Sequence, residues 1–348
     1  MPPSISVCIP AYNRPQVLPE LLDSILAQDF SDYNVIICED DSPKREAIRQ
    51  VAQTYARSGL RQIRYLENEK NLGYDANLRN LIEKADGDYC FFMGNDDLMC
   101  PGALRTVVSA IRRYENVGVV LRSYASFDRT PERIDQVFRY FEKETFFPSG
   151  PATVATFFRR SVVIPGMVVN RRAADALRTD LFDGTLLYQL YLVANILIEM
   201  NGISLPEILV LYRNGGIPDF GNSENERGKF VPREQTPESS LHFMRGMLRI
   251  ASSVERNRGV PIYGSILKDI SNYSYPILSI QAQRSLPAFI KYALGLSRMG
   301  FWRSGMFFLY FFGLLFFGKT RIDRFIRVGK KWIGHTPSLG AIYKGESQ

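Results

Sequence analysis

The chain has 348 residues, of which 45% are apolar, 23% charged and 12% aromatic. These proportions exclude a disordered or fibrous protein, and the length is sufficient for one large α/β domain with an appendage or for two domains. The net charge of +7 is confined to residues 298–331, which hold eight Lys or Arg and one Asp, so the basic surplus favours an anionic membrane surface and argues against a nucleic-acid partner.

Histidine and cysteine are too few or too scattered for several common kinds of site. There are two histidines, and the four cysteines are far apart, with three of them (Cys8, Cys38 and Cys90) inside apolar runs. The composition therefore argues against a disulfide framework, a zinc site and a Ser/His/Asp triad, and any reaction must depend on carboxylates.

The first 125 residues alternate short apolar runs with amphipathic stretches, a pattern typical of a parallel sheet covered by helices. Helices are predicted from Pro15 onwards and over residues 44–57, 77–85 and 101–114. Strands are predicted over residues 5–9, 35–38, 63–66, 89–93 and 117–121. The predicted fold class is thus α/β, a mostly parallel sheet flanked by helices.

The rest of the chain predicts a connection, a loop and a helical region. Residues 127–151 are charged and aromatic, and we interpret them as a connection beside the cleft. Residues 153–211 are predicted to be α-rich, and residues 214–240 to be a long loop because they lack apolar periodicity. Residues from Leu241 onwards are predicted to be helical. We predict a catalytic domain over 1–215, a loop or lid over 216–240 and a basic helical region over 241–348.

Two acidic pairs follow predicted strands. Glu39 and Asp40 come after the second strand, and Asp96 and Asp97 after the fourth. Ligands bind at the carboxyl ends of strands in such sheets, so we expect these pairs to meet in one cleft. Their mutual repulsion favours a hard cation, Mg²⁺ or Mn²⁺, shared with substrate phosphates. The alternative is that the acids cap the helices that follow them, as Asp97 could do shortly before Pro101.

Four segments follow one another along the first hundred residues: SVCIPAYNR (6–14), VIICEDDSP (35–43), NEKNLGYDAN (68–77) and GDYCFFMGNDD (87–97). Together they resemble the nucleotide-sugar-binding half of family 2 glycosyltransferases, which have the Rossmann-type fold called GT-A. The resemblance is strong over residues 4–125, weaker to about 215 and absent beyond.

The resemblance implies a binding site for a nucleoside diphosphate sugar. Glu39 takes the place of an Asp that hydrogen-bonds the base, and Asp40 belongs to the same cluster. Asp96 and Asp97 match the end of the family's DxD motif, in which the last Asp holds the metal, so Asp97 is the implied ligand. Gly94 stands where the first Asp of that motif is often found. The other implied binding residues are Pro10, Ala11, Tyr12, Arg14, Asn71, Gly73 and Asn77.

The family's general base is missing from its usual place. Members commonly have an ED pair there, but this sequence has Tyr188 and Gln189. Neither side chain is a base at neutral pH. Asp183 is the nearest carboxylate and our candidate catalytic residue together with Asp96; Asp183 could instead cap a helix that starts near Thr185.

Residues 313–320 (GLLFFGKT) match the phosphate-binding pattern GxxxxGK[ST]. The interior of the match is Leu-Leu-Phe-Phe within an aromatic run, and only 28 residues follow it, too few for a nucleotide-binding sheet. We interpret the match as a coincidence.

The basic C-terminal segment contains an apolar run over residues 306–317, shorter than the roughly 20 residues that span a bilayer. Such a segment predicts an anchor lying on an anionic membrane surface through residues 298–331. The alternative is a helix docked on the catalytic domain or on a second subunit. With no basic and apolar leader at the start, the expected location is the cytoplasmic face of the cell membrane.

The hypothesis is an inverting, metal-dependent transfer of a sugar from a nucleoside diphosphate sugar to an acceptor hydroxyl. The acceptor is expected to be a lipid-linked saccharide, as in O-antigen or capsule synthesis. Two alternatives stay open: a nucleotidyltransferase, and a non-catalytic nucleotide-sugar-binding protein on the same scaffold.

Overall fold

A computed structural model describes residues 3–59, 62–214 and 219–333 of the chain. Parts of the predicted loop (215–218) and of the predicted C-terminal region (334–348) lie outside the described residues. The described part contains ten strands in one sheet. They are β1 (Ile5–Ala11), β2 (Tyr33–Glu39), β3 (Ile63–Glu67), β4 (Tyr89–Phe92), β5 (Leu98–Met99), β6 (Val117–Phe127), β7 (Ile134–Phe138), β8 (Thr145–Phe147), β9 (Val168–Asn170) and β10 (Asn201–Arg213).

Helices connect the early strands, cover the sheet and form the end of the chain. The helices form where apolar side chains recur at helical spacing. In the first helix, for example, four leucine and isoleucine side chains at this spacing are buried. The helices are α1 (Leu18–Leu26), α2 (Arg45–Arg57), α3 (Tyr74–Lys84), α4 (Ala103–Arg113), α5 (Pro151–Phe158), α6 (Arg171–Ala176), α7 (Tyr188–Glu199), α8 (Pro237–Arg258), α9 (Tyr263–Asn272), α10 (Tyr275–Gln281), α11 (Leu286–Arg298) and α12 (Gly305–Ile333).

The sheet has the strand order β3-β2-β1-β4-β9-β6-β10-β5, with β7 paired to β6 and β8 to β10. β1 is parallel to β2 and β4, β2 is parallel to β3, and β6 is parallel to β10. β9 is antiparallel to both of its neighbours. Since β1 lies between β2 and β4, the chain segments that follow these three strands emerge side by side at one edge.

Both faces of the sheet are covered. One apolar core contains side chains from α1, α2 and α4, and the other contains side chains from α3, α5, α7 and the helices α8 to α12. The C-terminal helices therefore share a core with the sheet. The predicted α/β class with a helical C-terminal extension is confirmed.

The prediction for residues 127–211 was wrong in part, because this stretch supplies four strands. β7 and β8 lie in the segment interpreted as a connection, and β9 and β10 in the segment predicted to be α-rich. β9 has only three residues, which is too short for an alternating pattern. β10 contains Gly202 and Pro206 and has irregular register beside Ser204, all of which weaken a strand pattern.

Residues 313–320 are part of α12 and do not form a phosphate-binding loop. The helix is interrupted at Gly318, whose φ of 71° lies in the left-handed region. Phe307 and Leu314 are buried in the core beside the sheet, whereas Leu309 and Phe316 are 63% and 69% exposed. Residues 305–325 are long and apolar enough to cross a membrane by length and composition.

Candidate active site

A cleft of about 470 Å³ lies at the edge where β1, β2 and β4 end. Its lining comes from the segments after these strands, from the end of β10 and from the loop that follows β10. Ten residues selected from the sequence line this cleft: Pro10, Ala11, Tyr12, Arg14, Asp40, Asn71, Gly73, Asn77, Asp96 and Asp97. Two others, Glu39 and Asp183, are not among its lining residues.

Glu39 is the last residue of β2, next to the cleft-lining Asp40, and is fully buried. Its carboxylate accepts hydrogen bonds from the backbone N–H groups of Asp41 at 3.0 Å and Ser42 at 2.8 Å. Arg45 completes this arrangement, donating from Nε to Oε2 at 2.7 Å. In this structure Glu39 shapes the turn that presents Asp40, and it is Asp40 that faces the cleft.

Asp40 holds the loop before α3. One oxygen accepts from the Leu72 backbone N–H and from the Asn68 side chain, and the other accepts from the Gly73 N–H at 2.9 Å. Burial raises the pKa of Asp40 to about 6, although these hydrogen bonds act in the opposite direction. Gly73 adopts a φ of 87°, which is why glycine is suited to this turn.

Asn77 is buried on the first turns of α3 and ties that helix to β2. Its amide donates to the backbone carbonyl of Cys38 at 3.1 Å, and its side-chain oxygen accepts from Asn68 at 3.2 Å. Polar side chains in NEKNLGYDAN thus form one connected network with Asp40, which fixes the wall of the cleft.

Asp96 and Asp97 have different environments. Asp96 forms an ion pair with Arg14 and is partly exposed. Asp97 is 1% exposed and accepts from the Arg213 backbone N–H at 2.9 Å. Burial raises the pKa of Asp97 to about 7, against the effect of that hydrogen bond and of the nearby Arg14 charge. The alternative that Asp97 caps the next helix is wrong, because Gly102 occupies the N-cap of α4.

The departure from DxD at Gly94 has a steric reason. A Cβ atom at this position would lie 2.3 Å from Oδ2 of Asp97, closer than real Cβ atoms approach other atoms. The bare backbone of Gly94 therefore leaves space for the Asp97 carboxylate.

Asp183 lies in a neighbouring polar groove together with Arg79 and Asp180. Both of its carboxylate oxygens accept from the Arg79 guanidinium, at 2.7 and 2.8 Å. Nor does Asp183 cap the following helix: α7 begins at Tyr188, and its N-cap residue Leu187 makes no side-chain cap.

Asp75 was missed by the sequence analysis and supplies the cap that α7 needs. It is 1% exposed on α3 and accepts hydrogen bonds from the backbone N–H groups of Thr185, Leu186 and Tyr188 at 2.8 to 3.0 Å. Burial raises its pKa to about 7. Because the partners are more than a hundred residues apart, no local pattern indicates this contact.

The loop after β10 contributes to the cleft through Asp219, Phe220 and Glu226. Glu226 is buried and accepts from the Tyr74 and Gly221 N–H groups at 2.8 and 2.9 Å. The composition of this segment indicated a loop, but nothing in it singled out these side chains.

The sequence that forms the strands around the cleft matches a known family. Residues 6–176 match the model of "Glycosyl transferase family 2". These residues form a family 2 glycosyltransferase domain. The resemblance stated from the four sequence segments is confirmed.

Curated relatives align with about a third of this chain. Abequosyltransferase RfbV of Salmonella typhimurium is 35% identical over 100 residues, 29% of this chain and 30% of that protein. A putative glycosyltransferase, EpsE of Bacillus subtilis, is 29% identical over 126 residues, 36% of this chain and 45% of that protein. A GalNAc(5)-diNAcBac-PP-undecaprenol beta-1,3-glucosyltransferase of Campylobacter jejuni is 30% identical over 106 residues, 30% of this chain and 34% of that protein. The chain thus spans less than half the length of these relatives.

Solved structures show that the likeness in fold extends beyond the domain. S. aureus TarS 1-349 in complex with UDP-GlcNAc has a TM-score of 0.59 at 15% identity, covering 84% of this chain and 79% of TarS. The mannosyltransferase PcManGT of Pyrobaculum calidifontis, in complex with GDP-Man and Mn²⁺, has a TM-score of 0.50 at 15% identity, covering 91% of this chain and 87% of PcManGT.

Proposed function

We propose that this protein transfers a sugar from a nucleoside diphosphate sugar to a saccharide hydroxyl, with inversion at the anomeric carbon. The observation that carries the proposal is the single cleft of a family 2 domain that gathers Arg14, Asp40, Asp96 and Asp97. The acceptor oxygen attacks the anomeric carbon from the face opposite the diphosphate, the glycosidic bond to the diphosphate breaks, and the hydroxyl proton passes to a carboxylate.

The donor set fits a hard cation that shares its coordination with the substrate. The described residues contain no group of three or more His, Cys, Asp or Glu placed to hold a metal. Asp97 offers one buried carboxylate beside the bare backbone of Gly94. Asp97 would hold Mg²⁺ or Mn²⁺ together with the bound substrate, and such an ion would neutralise charge on the leaving group.

For the proton acceptor, the geometry favours Asp96 over Asp183. Asp96 lines the cleft next to Asp97, and its carboxylate is partly exposed. Asp183 is outside the cleft lining and uses both oxygens on Arg79. Arg14 would then pair with the diphosphate of a bound donor, since a guanidinium binds phosphate oxygens well.

For the acceptor and the location, we propose a lipid-linked saccharide in polysaccharide synthesis at the cytoplasmic face of the membrane. Relatives include the glucosyltransferase whose name specifies a PP-undecaprenol substrate. In this arrangement residues 1–215 bind the donor and carry out the reaction, residues 216–240 cover the cleft, and residues 241–348 contact the membrane. The contact includes the exposed apolar side chains of α12, with basic side chains such as Arg321 and Arg324 beside them.

The test is incubation with a panel of nucleotide sugars, Mn²⁺ and lipid-linked saccharide acceptors. Release of a nucleoside diphosphate together with a longer saccharide supports the proposal. Release of pyrophosphate from a nucleoside triphosphate would favour a nucleotidyltransferase, and tight binding of nucleotide sugars without turnover would favour a non-catalytic binding protein.

A further inference from the structure

One part of the cleft lining consists of aliphatic side chains. Residues 162–165 (Val-Val-Ile-Pro) all line the cleft and lead into β9. The segment runs beside the end of β4, because the Gly166 N–H donates to the Phe92 carbonyl at 2.7 Å and the Phe92 N–H donates to the Met167 carbonyl at 3.0 Å. β4 continues directly into the turn that carries Asp96 and Asp97. We call residues 162–165 the aliphatic wall.

The backbone carbonyls of the aliphatic wall are all engaged within the protein. Arg122 donates to the carbonyls of Val163 and Pro165. Gln189 Nε2 donates to the Val162 carbonyl at 2.8 Å, and the Met167 N–H donates to the Ile164 carbonyl at 2.8 Å. Each carbonyl of this segment therefore already accepts a hydrogen bond from the protein, and the side chains that the segment contributes to the cleft lining are all aliphatic.

The wall is also held firmly. Arg122 is fully buried, and its guanidinium lies 4.8 Å from the centre of the Tyr124 ring. A Cβ atom at Gly166, where φ is 76°, would lie 2.9 Å from Cγ of Arg122. Such close packing leaves the segment little freedom to turn its carbonyls toward a ligand.

The polar side chain next to the wall offers little to a sugar hydroxyl. Gln189 donates to the wall through Nε2, and its Oε1 accepts from the Tyr74 hydroxyl at 3.4 Å. Leu186 and Phe243 add further apolar surface to the cleft lining. A hydroxyl placed against this surface would lose its water without gaining a partner, which is unfavourable, whereas a methyl group would be buried favourably.

We propose that the aliphatic wall selects a donor whose hexose is 6-deoxy, with its C6 methyl group packed against Val162 and Val163. The inference rests on the proposed function. It assumes that the diphosphate of the donor binds beside Asp97 and that the attached sugar lies against the neighbouring aliphatic wall. It adds to that function the chemical class of the transferred sugar.

The test is calorimetric binding of donor pairs that share base and stereochemistry and differ only in the C6 hydroxyl. Suitable pairs are GDP-mannose with GDP-6-deoxymannose, and the glucose and galactose pairs carried on UDP or dTDP. For the base that binds, the 6-deoxy member should bind about tenfold to a hundredfold more tightly. Equal affinities within every pair, or tighter binding of the hydroxylated member, would overturn the proposal. Absence of binding by all nucleotides and nucleotide sugars would overturn the proposed function as well.

A substitution at the wall provides the second measurement. Val163→Thr replaces one methyl group with a hydroxyl of similar size. It should reduce the preference for the 6-deoxy donor severalfold while leaving the affinity for the bare nucleoside diphosphate unchanged. Val137→Thr on β7, outside the cleft lining, is the matched control and should keep the full preference. An unchanged preference in Val163→Thr would show that the wall does not contact C6.

Discussion

The carboxylate of Glu226, in the loop after β10, accepts a hydrogen bond from the backbone N–H of Tyr74, the first residue of α3, at 2.8 Å. This contact joins positions 152 residues apart and closes the loop over the rim of the cleft. The partial positive charge at the start of a helix stabilises a carboxylate there. Phe220 packs edge-on against the Tyr74 ring at 5.7 Å, so the same helix end also holds an aromatic side chain of the loop.

Replacing Glu226 with Gln should release this loop. Each carboxylate oxygen accepts from one N–H group, of Tyr74 or Gly221, and an amide can replace only one of them. We expect residues 219–233 to exchange amide hydrogens severalfold faster and KM for the nucleotide sugar to rise. Hydrogen-exchange mass spectrometry measures the first effect. Glu224→Gln, at an exposed position of the same loop, is the control and should change neither quantity.

Asp97 should make the stability of the cation-free protein depend on pH. Its folded-state pKa of about 7 exceeds the ordinary value near 4, so between these two pH values the folded chain binds a proton that the unfolded chain has released. Its contribution to stability is therefore complete below about pH 4 and is lost as the pH rises to about 7.

Asp97→Asn removes this titration. In EDTA, its free energy of unfolding relative to the unsubstituted protein should rise by on the order of 1 to 3 kcal/mol between pH 4 and pH 8. Urea denaturation across that range measures the difference. The same substitution at the exposed Asp128 is the control. A difference that stays constant with pH would show that the pKa of Asp97 is not raised in the folded chain.

Asn substitutions at Asp96 and Asp183 should affect different quantities: the first should lower kcat, and the second should lower the stability of the fold. Asp96→Asn should lower kcat by about a hundredfold or more, as expected for loss of a proton acceptor. Asp183→Asn should instead weaken the pairing with Arg79, lowering the free energy of unfolding by on the order of 1 to 3 kcal/mol while kcat changes less than about threefold. Steady-state kinetics with thermal denaturation separates the two effects, and the reverse pattern would restore Asp183 as the base.

The parts of the fold that could be predicted are those specified by local pattern. The buried runs of β1, β2, β4 and β6, the short apolar run of β3 and the amphipathic helices between them are visible in the sequence because each is encoded within a few consecutive residues. β9 was not predictable in this way, since its three residues are strand only because β4 and β6 lie on either side.

In the cleft too, residues placed by local sequence and sheet topology could be predicted, and residues placed by distant contacts could not. Asp40 and Asp97 follow buried strands, so their meeting could be expected from the topology of a parallel sheet. Asp75 and Glu226 could not be found, because their function depends on backbone N–H groups that are distant in sequence. The environment of Asp183 also depends on a distant partner, Arg79. That Asp183 lies near the expected position of the ED pair in the sequence did not indicate this pairing.

The exposed face of α12, formed by Leu309, Phe312, Phe316 and Phe317, should bind anionic membranes. These side chains are 46% to 69% exposed, whereas Phe307 and Leu314 fix the other face of the helix in the core. Complete burial of an exposed large apolar side chain is favourable by about 1.5 to 3 kcal/mol, so each of these partly exposed side chains contributes a fraction of that in the headgroup region, and nearby Lys and Arg add attraction to anionic lipid. Charged substitutions on the exposed face should therefore remove binding without unfolding the protein.

A Leu309→Glu/Phe316→Glu double variant tests this by flotation with vesicles containing anionic lipid. We expect the floated fraction to fall at least about tenfold, with an unchanged thermal midpoint. Leu181→Glu introduces a charge at a leucine that is 50% exposed elsewhere on the chain, and it should float like the unsubstituted protein. If the double variant floats normally but sediments as a smaller species, the exposed face of α12 joins two copies of the chain, and the membrane proposal is wrong.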